Sequence, residues 1–300
     1  MYSANGGRAM SYKTVLVHID DSAHSAPRVE LAAAIARADG GHLIGVALTG
    51  VSRLLYQNSA PDDDPNLALH LRFLRERAGR ALAGVERLVA AAGLASFELR
   101  VVDDEAGAGV SLLARYADLV VIGQIDPRQP AAVDSDFPAN VVLHSGRPVL
   151  LQPYALPQAD AGGASAPART VLIAWNASRE ASRAVSAAMP LLRRAGAVHI
   201  AVLDTELAVP PGAVNPGADV VRYLARHGVH ASTSLLPGQR QRGLGRAGDV
   251  GDALLSHAAD LAAGLLVMGA YGHARWRETI LGGVTRTVLE SMTLPVLMAH

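Results

Sequence analysis

A stretch with four glycines near the C-terminal end, VMGAYGHARWRETILGGVTR at 267–286, holds the residues whose spacing could do chemistry. Gly269 directly follows an aliphatic run, and Gly282 and Gly283 directly precede a helical pattern. Glycine lets the backbone approach another backbone or an anion closely, and the free N–H groups at a helix N-terminus favour phosphate. The stretch therefore indicates either a phosphate-binding loop or a tight strand-to-helix connection in which the glycines serve packing.

Polar groups beside these glycines would suit a phosphate. Thr285 offers a hydroxyl donor, and the nearby positive charge comes from His273, Arg275, Arg277 and Arg286. Catalysis at the same loop would need a group that activates water or holds a metal ion. The candidates are His273 and Asp252, and the sequence does not place either clearly at the phosphate. Slow hydrolysis therefore stays open beside binding alone.

The elements that must position this loop alternate between strands and helices. In the second half, the pattern predicts strands at 170–175, 198–203, 230–235, 265–269 and 295–299, and helices at 179–194, 216–227, 250–262 and 284–292. Such alternation predicts an open, doubly wound parallel sheet of about five strands. Ligands of these sheets bind beyond the carboxyl ends of the strands, which is where the glycine loop begins.

The first half of the chain repeats this plan. Placing Lys13 on Arg169 brings the segment KTVLVHIDDS onto RTVLIAWNAS. Between the halves lies a stretch rich in Pro, Gly, Ala and Ser, which is typical of a flexible, exposed linker. We therefore predict domains at 11–153 and 169–300, joined by a linker at 154–168. The predicted fold class is α/β, with two tandem doubly wound five-stranded parallel-sheet domains of Rossmann-like type.

The overall composition narrows the class of protein. The 300 residues are 50% hydrophobic but only 4% aromatic, so an aliphatic core is expected, and the chain is long enough for two domains. The formal net charge is zero, which argues against a protein held to nucleic acid or a membrane surface by charge. The chain has no cysteine, which excludes disulfides and thiol catalysis. With no apolar run long enough to span a bilayer and no signal-peptide pattern, we expect a soluble cytoplasmic protein.

The glycine pattern resembles a known family. Gly269-x2-Gly272-x9-Gly282, followed by Gly283-Val284-Thr285, is similar to the nucleotide loop of the universal stress protein family. The chain as a whole resembles tandem members of that family, in which two such domains are fused. The resemblance implies the fold called adenine nucleotide alpha hydrolase-like, and a role in the stress response.

The family also implies a binding site. In its ATP-binding members, the end of the first strand holds adenosine, a valine closing the second strand lies against adenine, and the glycine loop cradles ribose and phosphates. The implied nucleotide-binding residues are Ala174, Trp175, Asn176, Val202, Met268, Gly269, Gly272, His273, Arg275, Gly282, Gly283, Val284 and Thr285. The implied ligand is ATP or another adenine nucleotide, with or without Mg²⁺. Neither a catalytic residue nor a metal site of the protein's own is expected.

Two positions depart from the family pattern. Asn176 stands where the family has aspartate, and Gly283 stands where it has serine or threonine. Asn176 keeps an acceptor without a negative charge facing phosphate, and Gly283 keeps its N–H but loses a hydroxyl. Losing one hydrogen bond to a charged group costs about 1.5–3 kcal/mol. The departures therefore predict weaker nucleotide binding or a preference for another adenine nucleotide.

The first half departs from the family pattern in the opposite way. It keeps the aspartate as Asp20, but only Gly123 remains of the loop glycines, and Asp126 stands where the second glycine would be. Asp134 and Asp136 lie near the path of an approaching phosphate. Like charges and missing glycines both oppose an anion. We therefore predict that the first domain has a degenerate loop and binds no nucleotide at this position.

Three functions remain open at this point: a sensor or regulator that binds adenine nucleotide, an interaction scaffold with a vestigial pocket, and a slow ATPase. Relatives pair through the strand at each domain's end, here PVLL and PVLM. Uncovered aliphatic edge strands favour such pairing. We expect the two halves to pair with each other, with homodimerisation as the alternative. Neither nucleic acid nor a membrane is an expected partner.

Overall fold

Strands from both halves form one continuous ten-stranded sheet in the computed structural model of the chain. The structure describes residues 11–52, 65–129, 133–155, 169–203, 216–236, 247–272 and 283–300. Each half contributes five neighbouring strands, in the same internal order. The two sets meet where the last strand of the first half lies beside the last strand of the second half.

The first half alternates strands and helices as the repeat predicts. Its elements are β1 Thr14–His18, α1 Ser25–Ala38, β2 His42–Leu48, α2 Pro65–Leu82, α3 Val85–Ala91, β3 Phe97–Val102, α4 Ala106–Leu113, β4 Leu119–Gly123, α5 Phe137–His144 and β5 Val149–Gln152. A short 3₁₀ turn, Ala114–Tyr116, follows α4. All strand pairs within this half are parallel.

The second half repeats the arrangement. Its elements are β6 Thr170–Trp175, α6 Arg179–Leu192, β7 Ala197–Leu203, α7 Pro216–Arg226, β8 Ala231–Leu236, α8 Ala247–Asp260, β9 Leu265–Gly269, α9 Gly283–Ser291 and β10 Val296–Ala299. The strand pairs within this half are also parallel. The predicted fold class is confirmed, and the elements predicted in this half begin and end within three residues of those observed.

Alternate residues of each strand supply two aliphatic layers, one on each face of the sheet. Val15 and Val17 of β1 belong to one layer together with Val171 and Ile173 of β6, whereas Leu16 belongs to the other layer. Along the sheet the strands follow the order β3-β2-β1-β4-β5-β10-β9-β6-β7-β8, so β3 and β8 are outermost. Because helices cover both faces, the strands between them are buried and can be aliphatic almost throughout, whereas β3 and β8 are partly exposed. This burial is the reason why the strands were recognisable in the sequence.

The two halves meet through an antiparallel ladder between β5 and β10. Leu297 lies opposite Leu150, and Met298 lies opposite Val149. Leu150 and Leu297 are both fully buried in the same hydrophobic layer. The sheet and one of its cores are therefore continuous across the junction.

Polar contacts reinforce this junction. The side-chain amide of Gln124, just after β4, donates to the backbone oxygens of Leu289 and Glu290 in the last turn of α9, at 3.0 and 3.1 Å. The hydroxyl of Tyr12 donates to the backbone oxygen of Ala187 in α6, at 2.6 Å. Carbonyls at a helix C-terminus have no partner in the helix, so Gln124 supplies donors that α9 lacks.

Membrane insertion would need a long apolar helix. Within the described part of the chain, no helix combines the length and the hydropathy that a membrane span requires.

Candidate functional site

The carboxyl ends of three neighbouring strands bring the sequence-predicted adenosine residues together. Trp175 at the end of β6 lies in register with Val202 of β7, and Ala174 lies in register with Met268 of β9. Ala174, Val202 and Met268 are buried, and Trp175 is half-buried. The indole N–H of Trp175 is buried and has no acceptor among the residues that the structure describes. The carboxyl end of β6 thus holds a hydrogen-bond donor that no described residue uses.

The turn from β6 to α6 is built around Asn176. Its side-chain oxygen accepts the N–H of Ser178 at 3.1 Å, and Ala177 between them has a positive φ of 58°. The hydroxyl of Ser178 then accepts the N–H of Ala181 at 3.1 Å and caps α6. Asn176 is therefore a turn-forming residue, because an Asx side chain can stabilise this backbone locally.

The first two loop glycines lie against the beginning of α6. A Cβ atom added at Gly269 would lie 2.6 Å from the backbone carbon of Glu180, and one at Gly272 would lie 2.8 Å from Glu180 Oε2. Since real Cβ atoms do not approach backbone so closely, Gly269 is required by packing. The packing interpretation of these glycines thus has direct structural support, and it does not exclude a ligand beside them.

Glu180 is a site residue that the sequence reasoning missed. It is only 4% exposed, and its carboxylate lies beside Gly272, with the Arg179 guanidinium 3.4 Å away. An acidic residue in the first turn of a helix is common because it faces the positive end of the helix dipole. For that reason nothing in the local sequence marked Glu180 as a neighbour of the glycine loop. Its negative charge acts on any anion that the loop would hold.

The other side of the loop leads into α9. Thr285 is 4% exposed, and its hydroxyl oxygen accepts the N–H of Tyr271 at 3.4 Å. Gly283 is the first residue of α9, and Val284 follows it half-buried. The structure therefore places Thr285 at the base of the loop, where it orders the backbone at Tyr271.

Tyr271 itself has a strained backbone, with a positive φ of 58°. Burial raises the pKa of its phenol to about 12, and its hydroxyl has no partner among the described residues. The remaining predicted site residues, His273, Arg275 and Gly282, lie outside the described residues.

The corresponding turn of the first half holds a charged network. Asp20 accepts the N–H of Ser22 at 3.0 Å, which is the same Asx turn as at Asn176. Its other oxygen lies 2.9 Å from Nη2 of Arg28, at an angle that makes the contact an ion pair rather than a directed hydrogen bond. The Nε of Arg28 donates to the backbone oxygen of His18 at 2.7 Å. The carboxylate that the family pattern would offer to a ligand is therefore already paired with a buried cation.

The pKa values of this network reflect its burial. Burial would raise the pKa of Asp20, but the positive charge of Arg28, followed by His18 and the Ser22 hydrogen bonds, lowers it to about 2. For His18, burial and then Arg28 lower the pKa to about 4. Asp20 is thus charged and His18 neutral at neutral pH.

At the loop of the first half, Asp126 takes the place that Gly272 has in the second. Asp126 Oδ2 lies 3.1 Å from Nε2 of His24, and Asp126 Oδ1 accepts hydrogen bonds from the backbone and the guanidinium of Arg128. The hydrogen bonds from Arg128, aided by His24, lower the pKa of Asp126 to about 2. The Arg128 guanidinium also lies 5.2 Å from the ring centre of Tyr154. In the described part of this loop, the Asp126 carboxylate is therefore already paired with Arg128 and His24.

A metal ion would need several ligating side chains close together. In the ranges that the structure describes, no three His, Asp or Glu side chains lie close enough together to hold a metal ion.

Comparison with known proteins gives a consistent result. The model of the universal stress protein family matches residues 11–153 and 167–300. A universal stress protein from Archaeoglobus fulgidus is 17% identical, covers 96% of this chain and 98% of that chain, and has a TM-score of 0.67. A protein of unknown function from Pseudomonas aeruginosa is 15% identical over 96% of this chain and 92% of that chain, with a TM-score of 0.53. These two structures share the fold.

A third solved structure is a universal stress protein in complex with cAMP, which is 26% identical over 47% of this chain and 97% of that chain, with a TM-score of 0.34. No curated protein is similar enough to match the chain. Because the family model matches both halves in turn, the chain belongs to the universal stress protein family and carries two of its domains in tandem.

Proposed function

We propose that the second half of the chain binds an adenine nucleotide, ATP above all, and that the protein acts as a sensor or regulator in the stress response. The observation that carries the proposal is the convergence of the ends of β6, β7 and β9 at the glycine loop, which leads into the N-terminus of α9. This edge is where open parallel sheets receive their ligands.

The indole N–H of Trp175, which has no acceptor among the described residues, supports a ligand beyond the strand ends. A buried N–H without an acceptor is costly to the folded protein, and a base or ribose oxygen can accept from it. The apolar surface of Val202 beside it suits a flat ring. The first backbone N–H groups of α9, beginning at Gly283, suit the phosphates.

Glu180 sets the balance between ligands that differ in charge. Its carboxylate beside Gly272 repels a phosphate chain more strongly as the number of negative charges rises. Because it is buried, solvent screens this repulsion less than it would at the surface. We therefore propose that Glu180 limits the affinity for ATP more than the affinity for AMP.

Isothermal titration of the nucleotide-stripped protein with ATP, ADP and AMP, with and without Mg²⁺, tests the proposal. We expect micromolar binding of ATP, which Gly272→Ala weakens by about tenfold or more because the new methyl group displaces the Glu180 carboxylate into the loop. Glu180→Gln should strengthen ATP binding severalfold and AMP binding less. Gly79→Ala is the matched control, because a Cβ there meets nothing within 4 Å.

Two outcomes would overturn the proposal. If no nucleotide binds at millimolar concentration, the glycines serve only packing, and the chain is an interaction scaffold with a vestigial pocket. If Gly79→Ala and Gly272→Ala weaken binding equally, the nucleotide lies elsewhere. Steady release of phosphate by the native protein would instead support the slow ATPase.

We also propose that the two halves stay paired within one chain in solution. The proposal is supported by the ladder between β5 and β10 and by the contact of Gln124 with α9. With both of these strands paired internally, the chain has no need of a second copy to cover them.

A further inference from the structure

A cavity of about 430 Å³ opens at the carboxyl ends of β1 and β2 in the first half. The inner side of α2 and the beginnings of α4 and α5 enclose it. This volume lies within the range of small-molecule sites. The sequence reasoning predicted that no nucleotide binds to this half, so the cavity raises the question of what chemistry it does suit.

The inner surface of the cavity contains two polar side chains that the fold leaves without partners. Thr49 is 8% exposed and His18 is 3% exposed, and both line the cavity. Thr49 Oγ1 and His18 Nδ1 are buried and have no hydrogen-bond partner in the described part of the protein, the nearest carboxylate oxygen of Asp20 being 3.8 Å from His18 Nδ1. Buried polar groups are normally hydrogen-bonded, so each calls for a partner from outside the fold.

Part of the cavity wall, formed by α2 and the beginning of α5, is apolar. Phe137 at the beginning of α5 is buried, and its ring centre lies 4.9 Å from that of His18. Leu74, Ala78 and Ala81 line the opposite side from α2. A ligand that fills this space therefore needs an apolar body against these residues. Its charged group must lie away from His18, because burial without a partner penalises charge.

The rim of the cavity is acidic. Asp21, Glu105, Asp134 and Asp136 all line it, and the one cation among the described lining residues, Arg77, is already hydrogen-bonded to Asp21 at 2.9 Å. Glu105 and Asp136 stand at the N-caps of α4 and α5, yet neither side chain caps its helix. Glu105, Asp134 and Asp136 are thus left without a cationic partner in the described ranges. Together they favour a positive ligand group and repel phosphate.

We propose that this cavity binds a small organic amine with an apolar body, whose ammonium group lies at the rim formed by Glu105, Asp134 and Asp136 and whose hydroxyl group, at the other end, hydrogen-bonds Thr49 or His18. The two halves of the chain then hold ligands of opposite charge in corresponding places. The first half takes a cation where the second half takes a nucleotide.

Tyramine is a suitable probe, because it combines an aromatic body, a hydroxyl at one end and an ammonium at the other. Its neutral analogue 4-ethylphenol has the same shape without the charge. We expect titration calorimetry of the full chain to show tyramine binding at least about tenfold tighter than 4-ethylphenol. ATP titrated into the tyramine-loaded protein should not displace the amine.

Matched variants separate the rim from the interior. Asp134→Asn/Asp136→Asn should weaken tyramine at least about tenfold and leave 4-ethylphenol unchanged. Glu30→Gln/Glu86→Gln removes the same charge from the same half, outside the cavity lining, and should leave both ligands unchanged. Thr49→Val should weaken both ligands severalfold. Thermal unfolding of each variant checks that the half remains folded.

The proposal is overturned if tyramine does not bind at millimolar concentration, or if 4-ethylphenol binds as tightly. It is also overturned if both double variants weaken tyramine equally, since the attraction would then belong to the overall charge of the half. Displacement of tyramine by ATP would show that the cavity takes nucleotide instead.

Discussion

The turn after β1 and the turn after β6 have the same backbone plan but different electrostatics. In both, an Asx side chain accepts the N–H of a serine two residues on, with Asp20 in the first half and Asn176 in the second. Asp20 brings a charge that the buried Arg28 neutralises, whereas Asn176 needs no counter-ion. The two turns keep the same backbone hydrogen bond although their charges differ, because the backbone requires only a side-chain acceptor.

The loops after β4 and β9 also differ in where their negative charge lies. In the first half a carboxylate stands on the loop, at Asp126, and faces His24 at the N-cap of α1. In the second half the loop carries Gly272, and the carboxylate stands on α6 as Glu180. Each half therefore has one buried carboxylate at this junction, on opposite sides of it. Under the proposed function, the side that lacks a side chain is the one that receives the nucleotide.

Breaking the charged turn should have the largest effect on stability. Asp20→Asn keeps the Asx turn but leaves the buried Arg28 without its carboxylate counter-ion, which should lower the free energy of unfolding by about 3 kcal/mol. The mirror change, Asn176→Asp, should alter it by less than about 1 kcal/mol, because Asn176 is half-buried and keeps its acceptor. Urea unfolding measures both. Equal losses from the two changes would contradict the comparison.

At acidic pH, the native protein and the Asp20→Asn variant should become equally stable. Because Asp20 has a pKa of about 2 in the folded protein against an ordinary 3.8, its stabilisation is complete above pH 4 and is lost as the pH falls towards 2. The shift corresponds to about 2 kcal/mol. Asp126, with a pKa of about 2, adds to the loss in the same window. His18, whose pKa is lowered from 6.5 to about 4, adds its own loss earlier, as the pH falls from 6.5 to about 4, because only the unfolded chain then binds the proton.

Unfolding free energies at a series of pH values between 5 and about 2 measure this effect. The gap between the native protein and Asp20→Asn should narrow steadily as Asp20 gains its proton. A gap that stays constant over this range would show that the ion pair with Arg28 contributes nothing to stability.

A smaller effect is expected at the junction between the halves. Gln124→Leu removes two hydrogen bonds to the last carbonyls of α9 and the one that the Gln124 side-chain oxygen accepts from the Tyr154 N–H. It should cost about 1–2 kcal/mol, and the loss of the two bonds to α9 should appear as faster amide exchange in that helix. Gln152→Leu is the matched control, because Gln152 is also buried but its side-chain oxygen has no partner among the described residues. If the two leucine variants behave alike, the amide of Gln124 does not join the halves.

The sequence predicted the elements well because their signals are local. The aliphatic strands are buried on both faces, and Ser178 caps α6 directly after its turn. Contacts between distant residues left no such signal. Nothing in the sequence around Arg28 distinguishes it from a solvent-exposed arginine, and only the fold shows that it is buried against Asp20. In the same way, nothing local indicates that Glu180 contacts the glycine loop.

The sequence predicted only one property of the acidic residues in the first half, and the structure shows another. Asp134 and Asp136 were recognised as unfavourable to phosphate, and they line a cavity. The cavity depends on how α2, α4 and α5 approach the strand ends, which residue types alone do not determine. The unpaired polar group of Thr49 becomes informative only once its burial is known.

The contact between Gln124 and α9 has a mechanical consequence. A helix of this length is a rigid rod of about 13 Å. Its beginning forms part of the glycine loop, and its end is tied to the residue that follows Gly123, at the strand edge of the other half. If the proposed nucleotide shifts α9 when it binds, the shift also acts on the two hydrogen bonds from Gln124. Linkage then requires that a change at Gln124 alters the nucleotide affinity, so Gln124→Leu should change the Kd of the loop as well as the stability.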